Sequence, residues 1–499
     1  MKKTVCGIDL GTQSCKLIIY DYEKKTIVAQ SKAPLDMIAG NDGTREQKAL
    51  WYEESLKSCF HQIDEKTKKT IAAIGVSGQQ HGFVPLDGAG KAVSNVKLWC
   101  DTSTTEECDE LTHAAGGEKK LIASSGLPMR AGYTAPKILW LKKHKPKAFA
   151  QLRHILLPHD YINFLLSGAY WAEYGDASGT ALFDVRLRKW SAKVCRLISD
   201  EVESYLPELV SPHQAAGKVN KAAAAQFGIN EGVLISPGGG DNMMAAIGTG
   251  AVRDGFLTMS LGTSGTLFGF SKTPVIDQTG NLAAFCASSD GWLPLLCTMN
   301  CTVASEKMRE LFGMELKEMD ISAGRAPIGC EGITILPFFN GERTPNLPNG
   351  RASINGITAA NYSRENLARA ALESAIFGMR MGLDSFIALG FKPKAITLTG
   401  GGAKSPIWQR IAANVMNLPV SVPSSSNDAD SEAAAMGAAI QALLCLQQAE
   451  GKKTSIEALA ELHIKQGDIV KPDKKSVSLY NEAYSVYTRY LGALGPLYI

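Results

Sequence analysis

The chain has 499 residues, of which 45% are hydrophobic and 20% are charged, and its formal net charge is +3. These values are typical of globular proteins and exclude a disordered, collagen-like or coiled-coil chain, and the length predicts two large domains or several small ones. A net charge this close to zero does not indicate nucleic acid or a membrane surface as a partner.

The cysteine content and the N-terminus favour a cytoplasmic protein. The sequence contains eleven cysteines, and an odd number in a long chain does not predict a disulfide framework, so we expect reduced thiols. The apolar run after Lys2 and Lys3 ends at Asp9, which is too short for a signal peptide. No uncharged apolar stretch of about 18 residues, the length that spans a membrane, occurs in the sequence.

The first part of the chain opens with apolar runs that predict strands. They cover residues 4–10, 15–20, 26–30 and 71–77. The loop from Gly11 to Ser14 joins the first two strands as a β-hairpin, and the polar loop GQQHG at 78–82 follows the fourth. Residues 50–62 have helical spacing. Strands that alternate with helices indicate an α/β fold.

The middle of the chain repeats the opening hairpin. Further strands are predicted at 232–236, 256–260 and 266–270, and GGGDN follows the first of them. The segments IDLGTQSCKLIIY and MSLGTSGTLFGF share a strand, Leu-Gly-Thr, a small polar residue and a second strand. We infer an internal duplication with domains at 1–250 and 251–499, for which a chance match of three residues is the alternative.

The last third of the chain predicts the remaining elements. Helices are expected at 363–389, from Pro406 onwards, at 430–446 and at 475–493, and strands at 395–399 and 419–422. Ser363 and Ser405 precede two of these helices as capping residues. Three glycines at 400–402 lie at a strand-to-helix turn, where they indicate either a flat ligand against the backbone or only a tight turn.

The glycine loops exclude two common nucleotide sites and suggest a third kind. The sequence has neither a P-loop nor a dinucleotide fingerprint after a strand. Glycine at each hairpin tip instead lets backbone N–H groups approach phosphate oxygens, and the adjacent hydroxyls add donors. Asp9 precedes the first loop, where a carboxylate can hold a phosphate-bound magnesium ion through water.

The glycine loops belong to a longer series of motifs, and in the order of that series the chain resembles the FGGY carbohydrate kinases of the actin and hexokinase superfamily. The resemblance covers essentially the whole chain and runs through IDLGTQS, GQQHG, LWCDTST, YTAPK, GGGDN, SLGTSG, GERTP and TLTGGGAKS. It implies an α/β fold of two actin-like (ribonuclease H-like) ATPase domains around a deep cleft. It also implies ATP mainly on the C-terminal domain, sugar mainly on the N-terminal domain, and magnesium.

The resemblance implies a role for each matching residue. Asp241 corresponds to the catalytic base, for which a helix N-cap is the purely structural alternative. The other implied positions are Gln80, His81, Asp101 and Asn242 for the sugar, Thr12, Gln13, Ser14, Gly262, Thr263, Gly401, Gly402 and Ala403 for the nucleotide, and Asp9 for the metal.

Within the family, GQQHG, LWCD, YTAPK and GERTP are most similar to members that phosphorylate the terminal hydroxyl of D-xylulose, giving D-xylulose 5-phosphate. Those members usually carry Met where this chain has Gln80, which leaves ribulose, fuculose, glycerol or another polyol open. A chaperone-like ATPase would need a peptide-binding domain and a linker, for which we expect no room after the last predicted helix at 475–493. Intact Asp9, Asp241 and Thr263 disfavour a third alternative, an inactive sugar sensor. The oligomeric state stays open, with a homodimer as one arrangement.

Overall fold

A hairpin of two buried strands is the centre of the first sheet. The computed structural model describes residues 3–423 and 432–498. All seven residues of the opening strand are buried, as expected for a strand covered on both faces. The strands of this sheet are Thr4–Leu10 (β1), Ser14–Asp21 (β2), Thr26–Pro34 (β3), Ile71–Gly78 (β4), Gly217–Lys218 (β5), Leu234–Ile235 (β6) and Gly239–Gly240 (β7). Their order is β5-β6-β4-β1-β2-β3, with β7 also paired to β4.

The described part of the first half contains several helices of eight or more residues. They are Ala49–His61 (α1), Thr105–Ala114 (α2), Glu118–Ser125 (α3), Thr134–His144 (α4), Pro158–Ser167 (α5) and Asp241–Gly248 (α6). The buried face of α1, with Tyr52, Leu56 and Phe60, joins the core of the first sheet. Helices of four to seven residues and short strands connect these elements.

The second sheet repeats the arrangement of the first around the second hairpin. Its strands are Phe256–Leu261 (β8), Gly265–Gly269 (β9), Ala283–Ala287 (β10), Gly291–Thr298 (β11), Ala395–Thr399 (β12), Val420–Pro423 (β13) and Gln466–Val470 (β14), in the order β10-β11-β9-β8-β12-β13-β14. In both sheets the first hairpin strand is antiparallel to the second and parallel to a later strand, β4 or β12. The structure thus shows one topology twice.

The helices of the second half pack with this sheet, apart from two exceptions. They are Val303–Phe312 (α7), Leu316–Arg325 (α8), Arg364–Ala388 (α9), Pro406–Met416 (α10), Ala433–Ala449 (α11), Ile456–His463 (α12) and Lys474–Leu494 (α13). The exceptions, α11 and α12, both belong to the apolar core of the first sheet, and α11 packs directly on its strands. Gly7 of β1 and Gly75 of β4 make this approach possible, because a Cβ on either would overlap a backbone carbonyl of α11.

The long elements agree with their predictions. Strand 395–399 and the Ser363 and Ser405 caps are confirmed, since each serine side chain accepts a hydrogen bond from a backbone N–H three residues on. The strand predicted at 232–236 is wrong at its ends, because Gly232 has a φ of 75° and Pro237 follows, which leaves Leu234–Ile235. The first residues of the predicted helix 430–446 lie outside the described residues, and the domain division at residue 250 stays a prediction.

Within residues 3–423 and 432–498, none of the helices combines the length and the apolar character needed to cross a bilayer.

Candidate active site

In each sheet, a parallel strand pair brings two loops to the same edge. In the first sheet Asp9 of β1 lies opposite Ser77 of β4, so the hairpin tip and the GQQHG loop leave the sheet side by side. In the second sheet Ser260 of β8 lies opposite Thr399 of β12, and the glycines at 400–402 follow directly. Loops at the carboxyl ends of such strands are the usual ligand-binding places of α/β sheets.

A cavity of about 250 Å³ lies among residues of both halves. It is lined by Gln80, His81, Trp99, Arg130, Gly132, Tyr133, Asp241, Asn242, Ser260, Ser264, Thr266, Gly280, Asn281, Ala283, Phe285, Leu295, Cys297, Arg343 and Thr344. The predicted base and three of the four predicted sugar residues are therefore brought together. The volume suits a small polar ligand rather than a drug-sized one.

Asp241 begins α6 and faces the cavity. Gly240, not Asp241, occupies the N-cap position, and Asp241 Oδ1 accepts hydrogen bonds from the backbone N (2.8 Å) and Nδ2 (3.1 Å) of Asn242. Burial, followed by the negative charges of Asp9 and Asp176, raises the pKa of Asp241 to about 7. A carboxylate with a pKa near neutrality is suited to accept a proton from a hydroxyl group.

Gln80 orients the neighbour of Asp241. Its Oε1 accepts a hydrogen bond of 2.8 Å from Asn242 Nδ2, the same amide that contacts Asp241. Gly240 permits this approach, since a Cβ there would lie 2.6 Å from Gln80 Cγ. Gln80 thus fixes the Asn242–Asp241 pair from the GQQHG loop.

His81 lies in an aromatic corner of the cavity. Its ring centroid is 4.9 Å from that of Tyr133 and 5.6 Å from that of Phe285. Burial, followed by the positive charges of Lys137 and Arg343, holds the pKa of His81 well below its ordinary value, so the imidazole is neutral. A neutral imidazole can donate a hydrogen bond to a sugar hydroxyl or accept one from it.

Asp101 is placed outside this cavity. Its side chain is fully buried, and its Oδ2 accepts from the backbone N of Arg45 (2.7 Å) and from Lys97 Nζ (3.2 Å). Its Oδ1 accepts from the backbone N and the hydroxyl of Ser103. In the structure Asp101 fixes the loop that follows Trp99, and Trp99 lines the cavity.

The tip of the first hairpin has few free hydroxyls. Thr12 Oγ1 donates to Gln79 Oε1 and accepts from Trp99 Nε1, each at 2.9 Å, so its only proton is used inside the protein. Ser14 is buried, whereas Gln13 is exposed and its carbonyl accepts from the backbone of Leu35. Asp9 is buried, burial raises its pKa, and its Oδ1 accepts from Ser77 Oγ at 2.9 Å.

The second hairpin offers more open groups. The carbonyls of Gly262 and Thr263 accept from Thr302 and Cys301, but the Thr263 side chain is exposed and nothing in the described part of the chain bonds its hydroxyl. Ser264 lines the cavity.

The three glycines that follow β12 differ among themselves. Gly400 has a φ of 82°, a Cβ on Gly402 would overlap the Trp408 ring, and only Gly401 has open space on its face. Ala403 is fully buried. Gly401 is therefore the member of this loop that can lie directly against a ligand.

Sequence reasoning did not assign several cavity residues from the second half and from the loop before α4. Arg343 is exposed to the cavity, and Arg130, Tyr133 and Phe285 also line it. Arg343 and Tyr133 belong to the motifs GERTP and YTAPK, which were evident as patterns without an assigned role. Phe285 lies on β10, where no motif marks it.

The described residues contain no group of three or more His, Cys, Asp or Glu side chains that could hold a metal ion alone. Burial and, after it, the negative charge of Asp9 raise the pKa of Asp241, so the two carboxylates lie near enough to interact. Such a pair fits Mg²⁺, which is commonly held by one or two carboxylates, water and the phosphates of a substrate.

Two similar α/β halves around this cavity define the two-domain, actin-like (ribonuclease H-like) kinase fold. The chain belongs to the FGGY family of carbohydrate kinases, whose N-terminal domain matches residues 4–248 and whose C-terminal domain matches residues 257–446. It is accordingly an ATP-dependent sugar kinase.

Known proteins are similar over nearly the whole length. A xylulose kinase of Haemophilus influenzae is 42% identical, with 99% of each chain covered. The crystal structure of xylulose kinase from Bifidobacterium adolescentis is 28% identical and superposes with a TM-score of 0.82, covering 97% of this chain and 99% of that one. Gluconate kinase from Lactobacillus acidophilus, 23% identical over 99% of each chain with a TM-score of 0.90, shares the fold.

Proposed function

We propose that this kinase transfers the terminal phosphoryl group of ATP to the terminal hydroxyl of D-xylulose and forms D-xylulose 5-phosphate. The observation that carries the proposal is the single cavity that joins Asp241, Asn242 and the GQQHG loop to Ser264 of the second hairpin. A relative that is 42% identical over 99% of the chain is a xylulose kinase, which supports this sugar among those that the family can accept.

The sugar would lie between the first-half loops and the aromatic corner. Asn242, His81 and Asn281 supply hydrogen-bonding groups at the cavity wall, and Tyr133 and Phe285 supply apolar faces. This mixture suits a polyhydroxylated chain, whose carbon faces are apolar and whose edges are polar.

The chemistry rests on Asp241. Its carboxylate accepts the proton of the attacking hydroxyl as the new P–O bond forms and the bond to the ADP leaving oxygen breaks. Phosphoryl transfer passes through a loose transition state, so positioning and neutralisation of charge contribute most of the rate. Arg343 and the backbone of the second hairpin are the nearby groups that neutralise the transferring phosphoryl group.

We further propose that Asp9 holds Mg²⁺ through water, and that Thr263 and Gly401 contact the nucleotide. Bound magnesium neutralises the terminal phosphates. Asp9 meets the requirement for such a ligand, since it lies beside the hairpin tip and keeps one carboxylate oxygen outside its bond to Ser77. Asp101 is proposed only to support the sugar site, through the loop that carries Trp99.

Steady-state kinetics across a panel of sugars tests the substrate. ADP release with D-xylulose, L-ribulose, L-fuculose, glycerol and gluconate should give the highest kcat/KM for D-xylulose. A tenfold advantage for glycerol or gluconate would replace the proposed substrate, and absence of ADP release with every sugar would favour the inactive-sensor alternative.

We also propose a cytoplasmic location, which is consistent with eleven free cysteines. A homodimer is the proposed assembly, and light scattering of the purified protein tests it directly.

A further inference from the structure

Lys137 is a buried lysine that contacts the backbone of the sugar site. It lies in the first turn of α4, within the YTAPK motif, and its side chain is fully buried. Its Nζ donates to the carbonyl oxygens of His81 and Gly132, each at 2.7 Å. Both of these residues line the cavity, on two different loops. One side chain therefore joins the GQQHG loop to the loop that precedes α4.

The pairing of Lys137 differs from that of another buried lysine nearby. Lys97 is 3% exposed and lies 3.2 Å from both Glu46 and Asp101, which is the usual way to stabilise a buried ammonium group. No carboxylate among the described residues lies within 4 Å of Lys137 Nζ. Burial lowers the pKa of Lys137 to about 7 against the opposing effect of Asp101. The fold thus tolerates a costly buried amine, whose hydrogen bonds within the described residues go to two carbonyl oxygens.

The backbone of His81 explains what this amine contributes. His81 has a φ of 64°, a left-handed conformation that residues other than glycine rarely adopt. Such strain persists only where the surroundings determine it. The carbonyl of His81 accepts from Lys137 and also from Thr134 Oγ1 at 3.2 Å. The first turn of α4 holds the strained peptide in place.

The second carbonyl fixes the opposite wall. Gly132 lies against the backbone of Trp99, where a Cβ would come within 2.6 Å of the Trp99 carbonyl oxygen. Tyr133 follows directly, and its ring contacts that of His81. Holding Gly132 therefore also holds the aromatic corner against the imidazole.

We propose that Lys137 is a positioning residue of the sugar site, which clamps the strained His81 peptide and the Gly132 loop into the geometry that binds the sugar. The identity of the sugar in this inference rests on the proposed function, whereas the clamp itself rests on the hydrogen bonds of Lys137. Lys137 acts through His81 and does not contact the nucleotide loops.

The test compares Lys137→Met with Lys68→Met in the full-length protein. Methionine keeps most of the volume and removes the donors. Lys68 is also largely buried, at 4% exposure, but pairs with Glu65 away from the cavity. Amide hydrogen exchange is measured on peptides that cover 79–84 and 130–135, and KM is measured separately for D-xylulose and for ATP.

We expect Lys137→Met to speed exchange in both peptides and to raise the sugar KM at least about tenfold, because the carbonyls of His81 and Gly132 both lose Lys137 as a donor. The ATP KM should stay within about twofold, and Lys68→Met should match the wild type in both measurements. The clamp would be overturned if Lys137→Met changed neither the exchange nor the sugar KM. It would also be overturned if both KM values rose equally and exchange became faster throughout the protein.

Thr134→Val is the second variant, for the case that Lys137→Met does not fold. It removes only the 3.2 Å bond to the His81 carbonyl, so exchange should quicken at 79–84 and not at 130–135. Unchanged exchange at 79–84 would then count against the clamp. If the wild type does not use D-xylulose, the substrate proposal fails while the exchange result still decides the role of Lys137.

Discussion

In the first half of the chain the loop 78–82 follows β4, and in the second half the loop 400–404 follows β12. Each of these strands runs parallel to the first strand of a Leu-Gly-Thr hairpin, so the two loops occupy equivalent places. The first loop carries Gln80 and His81 into the cavity. The second is mainly glycine, and Gly401 alone leaves open space on its face.

The two hairpins also differ in the side chains that they carry and in how far those side chains are exposed. Asp9 precedes the first tip, and Ser260 stands at the matching place before the second. Thr12 is bonded to Gln79 and Trp99, whereas Thr263 is exposed. We propose that one architecture serves two ligands, because directional side chains suit the hydroxyls of a sugar and open backbone suits the phosphates and flat base of a nucleotide.

The largest effect on kcat is expected from a substitution directly after the first of the two triglycine segments. Asp241 follows Gly238 to Gly240, while Ala403 follows Gly400 to Gly402, so only the first segment is followed by a carboxylate. Asp241→Asn keeps the shape but removes the basicity, and we expect kcat to fall by roughly 10²–10⁴. Calorimetry should show a sugar affinity that changes much less. A fully active variant would remove Asp241 from the mechanism, since asparagine serves structural roles at a helix start equally well.

Asp9 and Ser260 test whether the metal belongs to one half. Asp9→Asn should lower kcat about a hundredfold and raise the magnesium concentration needed for half-maximal rate, because the carboxylate no longer supports the metal. Ser260→Ala is the matched variant at the equivalent position and should change kcat by less than about threefold. Equal effects of the two substitutions would contradict an asymmetric metal site.

The repeated hairpins and the capped helices were predictable from sequence because they depend on local patterns. Gly11 and Gly262 mark the tips, and Ser405 before Pro406 marks a helix start. Asp241 and His81 were predictable only through motif order. Arg343 reaches the same cavity from a distant segment, and no local pattern encodes that tertiary placement.

The hydrogen bonds of Thr12 were likewise beyond local reasoning. The Leu-Gly-Thr pattern predicts a phosphate-binding hydroxyl in both hairpins, but the partners Gln79 and Trp99 come from segments 67 and 87 positions further along the chain. The packing of α11 on the first sheet has the same origin, because only the assembled sheet shows that Gly7 and Gly75 leave room for a helix.

The acid limb of the pH profile tests the environment of Asp241. With a pKa of about 7, the base is protonated at lower pH, so kcat/KM measured with both substrates limiting should rise about tenfold per pH unit up to about 7 and then level off. Burial also raises the pKa of Glu173 to about 7, and Glu173→Gln should leave the limb in place. If the acid limb disappears in Glu173→Gln, the limb reports the protonation of Glu173 and not that of Asp241.

Thr12→Val and Thr263→Val remove one hydroxyl from each hairpin while keeping the side-chain shape. Thr263→Val should raise the KM for ATP about tenfold, since a hydrogen bond to a charged group is lost, with little change in the sugar KM. Thr12→Val should act mainly on the sugar KM, because Trp99 Nε1 and Gln79 Oε1 lose their shared partner. A tenfold rise of the ATP KM in Thr12→Val would show that this hydroxyl also contacts phosphate.

The smallest effects are expected in the loop 400–404. There, substitutions of two adjacent glycines distinguish a role in packing from contact with a ligand. Gly402→Ala places a methyl group on the Trp408 ring and 2.9 Å from Leu261 Cβ. Overpacking of this kind costs about 1–3 kcal/mol, so urea unfolding should begin at a lower concentration. Gly401→Ala meets no heavy atom within 4 Å, and its φ is not left-handed, so its stability should equal that of the wild type.

The same pair separates the two explanations of the loop. If the nucleotide lies against the open face of Gly401, the added methyl group should raise the KM for ATP by about threefold, with the sugar KM unchanged. An unchanged ATP KM in a stable Gly401→Ala protein would mean that no nucleotide atom approaches that face. All three glycines would then serve the tight turn between β12 and α10, and the contrast with the sugar-binding loop would rest on Thr263 alone.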